Sequence, residues 1–322
     1  MSPTPSALRS SSLPLPLLHR GKVREMYEAG PDLLLMVASD RVSAFDVIME
    51  QAVPRKGEVL NLITAWWLQR LEAEGVAHHA VSADPAEILR LVPALGTVDD
   101  VGQWARRSLL VRRTSPLPVE CVVRGYLAGS AWSEYRDSGT LAGEPLPSGL
   151  VRSQRLPAPL FSPATKAVEG HDENITFHDV TKLLGGERAG KLRRLSLDIY
   201  AVGAGVASKR GLILADTKFE FGVDAGGHLL LIDEVLTPDS SRYWPEAGYR
   251  VGVSPPSLDK QPVRDFLESV EGWDRRPPPP RLPDEVVKAT TDRYLEIFRR
   301  LTGSELDDFA PPSFPSERGE ES

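Results

Sequence analysis

Between Leu212 and Ile232 the chain carries the pattern that most limits what it can fold into. The turn-like run Asp224-Ala225-Gly226-Gly227 divides this stretch into the arms of a predicted β-hairpin. In the first arm, Asp216-Thr217-Lys218-Phe219-Glu220-Phe221-Gly222, successive side chains alternate between two faces. Asp216, Lys218 and Glu220 therefore share one face, while Thr217, Phe219 and Phe221 share another that can pack on a core. The return arm, Leu229 to Ile232, runs into Asp233-Glu234. If Val223 pairs near His228, or two residues beyond, Asp233 falls opposite Lys218 or Glu220 and on their face. A one-residue slip sends it to the other side. Two carboxylates beside a lysine suit magnesium and phosphate, because magnesium prefers oxygen ligands shared with phosphates. A solvated strand face is the alternative reading, and the acidic pair that directly follows a buried run favours the site.

Other elements follow from periodicity and turn residues. Leu33 to Val37 reads as a buried strand after Gly30-Pro31-Asp32. Val59, Leu60, Ile63, Trp66, Trp67 and Leu71 recur at helical spacing and predict a helix from about Glu58 to Glu72. Leu109–Val111 and Val119–Val123 read as strands, with Pro116 and Pro118 between them as a connector of lobes. From about Gly139 to Glu173 no period is evident, and a stretch that long is often functional. Leu192–Ser208 reads as a helix. After the stiff Pro277–Pro280 comes a last helix, opened by Pro283 with Asp284 and Glu285 in its first turn and closed by Gly303. The expected organisation is a flexible segment over 1–18, an N-terminal lobe over 19–118, a C-terminal lobe over 119–306 and a disordered tail over 307–322.

Three further clusters carry candidate chemistry. In Glu120-Cys121-Val122-Val123-Arg124-Gly125-Tyr126-Leu127-Ala128-Gly129-Ser130, an arginine at a strand end is followed by glycines and a serine. That set can offer a guanidinium, backbone amides and a hydroxyl to one phosphate, although a surface ion pair is the commoner use of such an arginine. Gly21-Lys22-Val23-Arg24 is a glycine-led turn with two cations, suited to nucleotide phosphates but lacking the second glycine of a P-loop. Ser39-Asp40-Arg41-Val42-Ser43-Ala44-Phe45-Asp46 is a dense polar stretch at a strand exit, where site loops and solvated turns look alike. Arg242, Lys260 and Arg264 can add cations to an anion pocket, with Asp265 as an equal claimant on Arg264. His171 lies among acids in Glu169-Gly170-His171-Asp172-Glu173 and reads as structural more readily than as a metal ligand.

Composition removes several classes. A net charge of -7 argues against general nucleic-acid binding, which needs a basic field. A single cysteine, Cys121, excludes an intramolecular disulfide and a multi-thiolate metal site, and reads as a small buried residue. No apolar stretch reaches the length of a membrane span, and Pro14 and Pro16 break the Leu-rich start. A cytoplasmic chain is the expectation.

Taken together, these segments resemble the phosphoribosylaminoimidazole-succinocarboxamide synthase (SAICAR synthetase) family. The resemblance rests on Leu117-Pro118-Val119-Glu120-Cys121-Val122-Val123-Arg124-Gly125-Tyr126-Leu127-Ala128-Gly129-Ser130 and on Leu214-Ala215-Asp216-Thr217-Lys218-Phe219-Glu220-Phe221-Gly222. The Gly21–Arg24 and Ser39–Asp46 stretches, Asp233-Glu234 and Arg242 follow in the family's order, and the similarity extends from about Arg20 to Leu301. Ser39 stands where Thr is common and Glu25 where Asp is common. The resemblance implies an α+β, two-lobed fold, similar in arrangement to protein kinases and ATP-grasp enzymes, with the site in a cleft. It implies a reaction of ATP, a carboxylated aminoimidazole ribotide and L-aspartate, with ATP and Mg2+ required and oligomeric state left open. Matched by position, Gly21, Lys22, Val23, Arg24 and Glu120 are implied at ATP, and Glu220 and Asp233 at magnesium. Ser43, Asp46, Arg124, Ser130, Arg242, Lys260 and Arg264 are implied at the substrate, with Asp216 and Lys218 facing the reacting carboxylate. A kinase-like phosphotransferase is the rival from another class, but its His-Arg-Asp and Asp-Phe-Gly motifs are missing. A non-catalytic nucleotide-binding module is a third, and would be expected to have lost one of the paired acids or Lys218.

Overall fold

The structure, a computed structural model, describes residues 7–166 and 173–314. The chain forms two units, one of Met1–Ala73, His78–Thr114 and Asp259–Ser322, the other of Glu74–Ala77 and Ser115–Leu258.

The first unit begins with β1 (Leu17–Arg20), β2 (Arg24–Glu28) and β3 (Leu33–Ala38), then a separate hairpin of β4 (Arg41–Ala44) and β5 (Val47–Ala52). Helix α1 (Lys56–Ala73), β6 (Ala80–Ser82), α2 (Pro85–Leu91) and β7 (Ser108–Arg112) follow. An antiparallel sheet runs β1-β2-β3-β7-β6. The predicted strand at Leu33 is β3, whose Leu35 and Val37 join Tyr27, Ile88, Leu95, Trp104 and Leu110 in a core. The predicted helix is α1, buried along most of its length.

Residues 7–18 do not form the expected flexible lead. Leu13 and Leu15 pack on the same core. The amide and hydroxyl of Ser11 both donate to buried Glu25, at 2.8 and 2.5 Å. The prolines that break a helical or signal-like run leave these leucines free to reach inward in extended chain.

The second unit contains β8 (Ser115–Pro116), β9 (Val119–Tyr126), α3 (Ser130–Ser138), β10 (Thr140–Leu141), β11 (Glu144–Pro145), β12 (Arg155–Phe161) and β13 (Ala164–Thr165). It continues with α4 (Phe177–Leu184), α5 (Gly186–Lys209), β14 (Leu212–Val223), β15 (Leu229–Ile232) and β16 (Ser241–Pro245). The centre is β14, which pairs antiparallel with β8, β9, β15 and β16. The stretch expected to lack regular structure holds β10 to β13. β12 escapes sequence patterning because Pro157 and Pro159 interrupt it; prolines are tolerated on such outer strands, and a register shift falls between Arg155 and Leu160.

The hairpin forms as predicted, but its register is intermediate between the two expected. Val223 pairs with Leu229 and Glu220 with Ile232. Continued regularly, this register would set Asp233 opposite Phe219. The strand instead ends at Ile232, and Asp233 has φ 60°, so the two-residue alternation stops before the acid.

The chain then returns to the first unit through α6 (Gln261–Ser269) and α7 (Asp284–Thr302). This corrects the expected C-terminal lobe of 119–306. Val263, Leu267 and Leu282 are buried with Val42, Met49 and Val53 of the β4–β5 hairpin region, an apolar match that hydrophobic spacing within α6 and α7 does not disclose. Nor is the tail disordered from 307. Asp307 pairs with Arg55, Ser313 bridges Ser82 across to β6, and the Phe314 amide donates to Val81 at 2.9 Å. Residues 315–322 lie outside the described part.

Candidate active site

Sheet register in the second unit brings the predicted charged face together. Arg124 on β9 and Arg242 on β16 are both register partners of Asp216 on β14. Cross-strand partners project to the same side of a sheet, and both guanidiniums meet one carboxylate oxygen, Asp216 Oδ2. Arg124 does so at 3.4 Å, and Arg242 forms a tight ion pair. Arg124 also donates through Nε to Ser162 Oγ at 2.9 Å and through Nη2 to Ser130 Oγ at 3.2 Å. Burial pulls its pKa below the usual value against the attraction of Asp216; Arg242 adds to the fall and Glu134 opposes it more weakly.

The motif glycines make this packing possible. A Cβ on Gly129 would lie 2.4 Å from Arg242 Nη2, and its φ of +54° also favours glycine. A Cβ on Gly125 would lie 1.9 Å from the Tyr200 hydroxyl, which itself donates to the Leu214 carbonyl at 2.7 Å. Ser130 is the first residue of α3, so its hydroxyl stands at a helix N-terminus next to two guanidiniums. Two cations sharing one directly bonded carboxylate make a place for a further anion, which the helix end also favours.

Further along the face, Lys218 Nζ donates to Glu120 Oε1 at 2.5 Å. Burial works against the ammonium, but Glu120, then Glu220 and Glu234, outweigh it and push the Lys218 pKa up to about 12. Glu220 in turn pairs with Lys166. Acids and bases thus alternate along one strand face, each acid carrying a cation. Glu220 supplies hard oxygen, and Asp233 follows the residue that pairs with Glu220. Among the described residues no group of three or more His, Cys, Asp or Glu side chains is arranged to hold a metal. Glu220 offers the hard oxygen that magnesium takes together with waters and phosphate oxygens.

The first unit assembles the other two predicted clusters into one structure. The Gly21 amide donates to the Arg24 carbonyl at 2.8 Å, closing the turn between β1 and β2. Arg41, buried, donates to the carbonyls of Lys22 and Gly21, each at 2.9 Å, and to Glu25 at 3.0 Å. The Val23 carbonyl accepts from the amide and hydroxyl of Ser39, both at 2.9 Å. Asp40 is a strut as well. It accepts from the Gly57 amide at the start of α1 and from Arg107. Ser39, Asp40 and Arg41 therefore fix the basic turn, while Asp46, at the tip of the β4–β5 hairpin, meets Lys22 Nζ at 2.5 Å. Ser43 pairs with Ile48 across that hairpin.

The same unit holds Lys260 at the cap of α6 and Arg264 in its first turns. Arg264 bonds Asp259 at 3.0 Å and Gln261 at 2.8 Å, whereas the considered partner Asp265 accepts from Gln261. His171 lies outside the described residues. Cys121 is buried, and burial raises its thiol pKa to about 12, which suits packing rather than reactivity. Sequence reasoning missed Lys166, Ser162 and the approach of Glu234 to Lys218. Lys166 and Ser162 lie in a stretch with no periodic signal, and only the pairing of β13 and β12 with β9 brings them to the face.

Residues 17–280 match the SAICAR synthetase family. The chain belongs to that family. Similar family members include the phosphoribosylaminoimidazole-succinocarboxamide synthase of Methylococcus capsulatus, 52% identical over 301 residues, with 93% of this chain and 99% of that protein covered. The enzyme of the same name from Leptothrix cholodnii is 49% identical over 308 residues, covering 93% and 99%. Among solved structures, the SAICAR-synthase from Saccharomyces cerevisiae complexed with SAICAR superposes with a TM-score of 0.84 at 40% identity, covering 93% of this chain and 99% of that one. These family members thus share about nine-tenths of the α+β chain described above. No helix among the described residues is long and apolar enough to cross a membrane.

Proposed function

We propose that this chain is an ATP-dependent carbon–nitrogen ligase of purine biosynthesis in the cytoplasm. It joins L-aspartate to the carboxylate of a phosphoribosyl aminoimidazole and releases ADP and phosphate. Full-length likeness to enzymes of that name supports the activity. The observation that carries the residue roles is the single face on which Asp216, Lys218 and Glu220 meet Arg124, Arg242 and Glu120.

The chemical obstacle is that a carboxylate is a poor electrophile for an amine. Transfer of the γ-phosphate to a carboxylate oxygen of the ribotide makes an acyl phosphate. The aspartate amine then attacks the carbonyl carbon, losing a proton, and the C–O bond to phosphate breaks. No protein nucleophile is required, so the residues bind, orient and balance charge. We assign Arg124, Ser130 and Arg242 to the ribotide phosphate, with Asp216 keeping the two guanidiniums in register. Lys218, charged up to about pH 12, cannot serve as a base near neutrality. It offsets negative charge as phosphate and carboxylate approach. Glu220 and Asp233 would hold magnesium, which when bound neutralises the ATP phosphates. Lys22 and Arg24 are assigned to those phosphates, and Ser43, Asp46, Lys260 and Arg264 to the substrate side.

Release of ADP measured with and without aspartate tests the reading: strict dependence on aspartate is expected, and aspartate-independent transfer to an alcohol would replace a ligase by a kinase. The intermediate is tested with ¹⁸O in the ribotide carboxylate. One labelled oxygen should leave in inorganic phosphate at each turnover, and unlabelled phosphate would sink the acyl phosphate.

A further inference from the structure

Lys166 belongs to none of the motifs that the sequence brings forward, yet it stands on the charged face. β13 carries it there: Ala164 and Thr165 pair with Glu120 and Val119 of β9, and the Lys166 amide donates to the Pro118 carbonyl at 3.4 Å. From that anchor the ammonium pairs with Glu220 Oε2. The two ends differ in freedom, since the lysine side chain is 38% exposed and the glutamate side chain 15%. The other acids of the face have their own cations, Glu120 with Lys218 and Asp216 with two arginines. Glu220 is thus the one acid of β14 whose cation comes from a loop segment rather than from a strand of the same ladder.

An ammonium and a divalent cation repel each other, so each weakens the hold of the other on a shared carboxylate. A lysine released from Glu220 keeps its tether at β13 and has a flexible four-carbon stem with three donors, suited to a moving phosphate.

We infer that Lys166 is a phosphate-binding residue of the ligation site, held on Glu220 until a metal–nucleotide complex takes that carboxylate. The inference rests on the ligase reading above and adds a residue and an exchange of partners to it. In the empty protein Lys166 preserves the charge balance of the face. In the loaded protein its ammonium lies against the transferring phosphate.

Two measurements test this, and the first needs no turnover. Mn2+ is titrated into the nucleotide-free protein and followed by electron paramagnetic resonance. Removing the competing ammonium in Lys166→Ala should tighten Mn2+ binding by about tenfold, the scale of a lost charged hydrogen bond. With Glu220→Gln as background, the same substitution should change nothing. The second is steady-state kinetics, in which Lys166→Ala should lower kcat by ~10²-fold, with Lys166→Arg recovering part of the loss. Unchanged Mn2+ affinity, or a kcat within about twofold of the parent, would overturn the role of Lys166. If the parent protein itself shows no aspartate-dependent ADP release, the ligase reading fails instead, and the Mn2+ titration still decides whether Lys166 and metal compete for Glu220.

Discussion

The two faces of β14 are built from alternate residues of one strand and obey different rules. On one face Thr217, Phe219 and Phe221 are almost wholly buried, and Cys121, the register partner of Phe219, lies against Ser196 of α5. That face is constrained by volume. On the other, Asp216, Lys218 and Glu220 are constrained by charge, each acid or base held by a partner of opposite sign. The difference teaches that a strand can separate folding from chemistry at intervals of one residue. Substitutions should therefore separate too.

The largest expected effect is on the packed face. Phe219→Ala removes a fully buried ring and should cost about 3–5 kcal/mol of unfolding free energy, measured by denaturant titration. The fraction that remains folded should turn over at close to the parent rate. Next is Glu220→Ala one residue away, expected to lower kcat by ~10²–10³-fold at limiting magnesium while the denaturation midpoint hardly moves. Asp233→Ala should behave alike. The comparison breaks if the two faces yield the same kind of defect.

How much of this was legible in the sequence differs along the chain. The alternation in Asp216–Phe221 fixed both faces because a period of two survives any choice of partner strand. Helix α7 was equally open to reading, since its apolar residues recur on one side between Pro283 and Gly303, and α1 was legible from a dense apolar run although it is buried nearly all round. The hairpin register was not, because turns of several geometries fit Asp224-Ala225-Gly226-Gly227, and the left-handed backbone of Asp233 leaves no mark on composition. Lys166 and Ser162 reach the site through β12 and β13, strands with prolines and no alternation to announce them. The return of α6 and α7 to the first unit depends on which apolar surface each meets, and a helix stripe does not name its partner. The stretch from Ser39 to Asp46 reads equally as a site loop or a solvated turn, and its Asp40 and Arg41 are neither, because buried struts draw on the same charged side chains.

A third substitution sharpens the comparison within the charged face by keeping the charge and changing the geometry. Arg124 spreads its donors over Ser162, Asp216 and Ser130. Arg124→Lys retains a cation but cannot reproduce that fork, so the KM for the ribotide should rise by about tenfold or more while that for ATP stays near its parent value. An equal rise for both would show that charge rather than geometry is what the face requires at this position.

The smallest effect expected is a displaced pH dependence. Lys218 keeps its proton up to about 12 although burial opposes its charge, and the nearest reason is Glu120 at 2.5 Å. The sign follows from that balance. A lysine whose folded pKa is raised contributes stability that is fully present below its ordinary value near ~10.4 and is lost as pH rises through the folded value. The parent should therefore show no basic limb in its kcat profile from Lys218 below about pH 10. Glu120→Gln removes the main attraction and leaves the burial cost, so the folded pKa must fall. A drop of about two units, which corresponds to ~2.7 kcal/mol of lost interaction, would bring a basic limb into the measurable range. Rates followed from pH 7 to 10.5 at saturating substrates should show that limb in Glu120→Gln and not in the parent. Parallel profiles would mean that Glu220 and Glu234 hold the ammonium without Glu120. The charged face would then be a shared field, unlike the packed face, where each side chain fills its own volume.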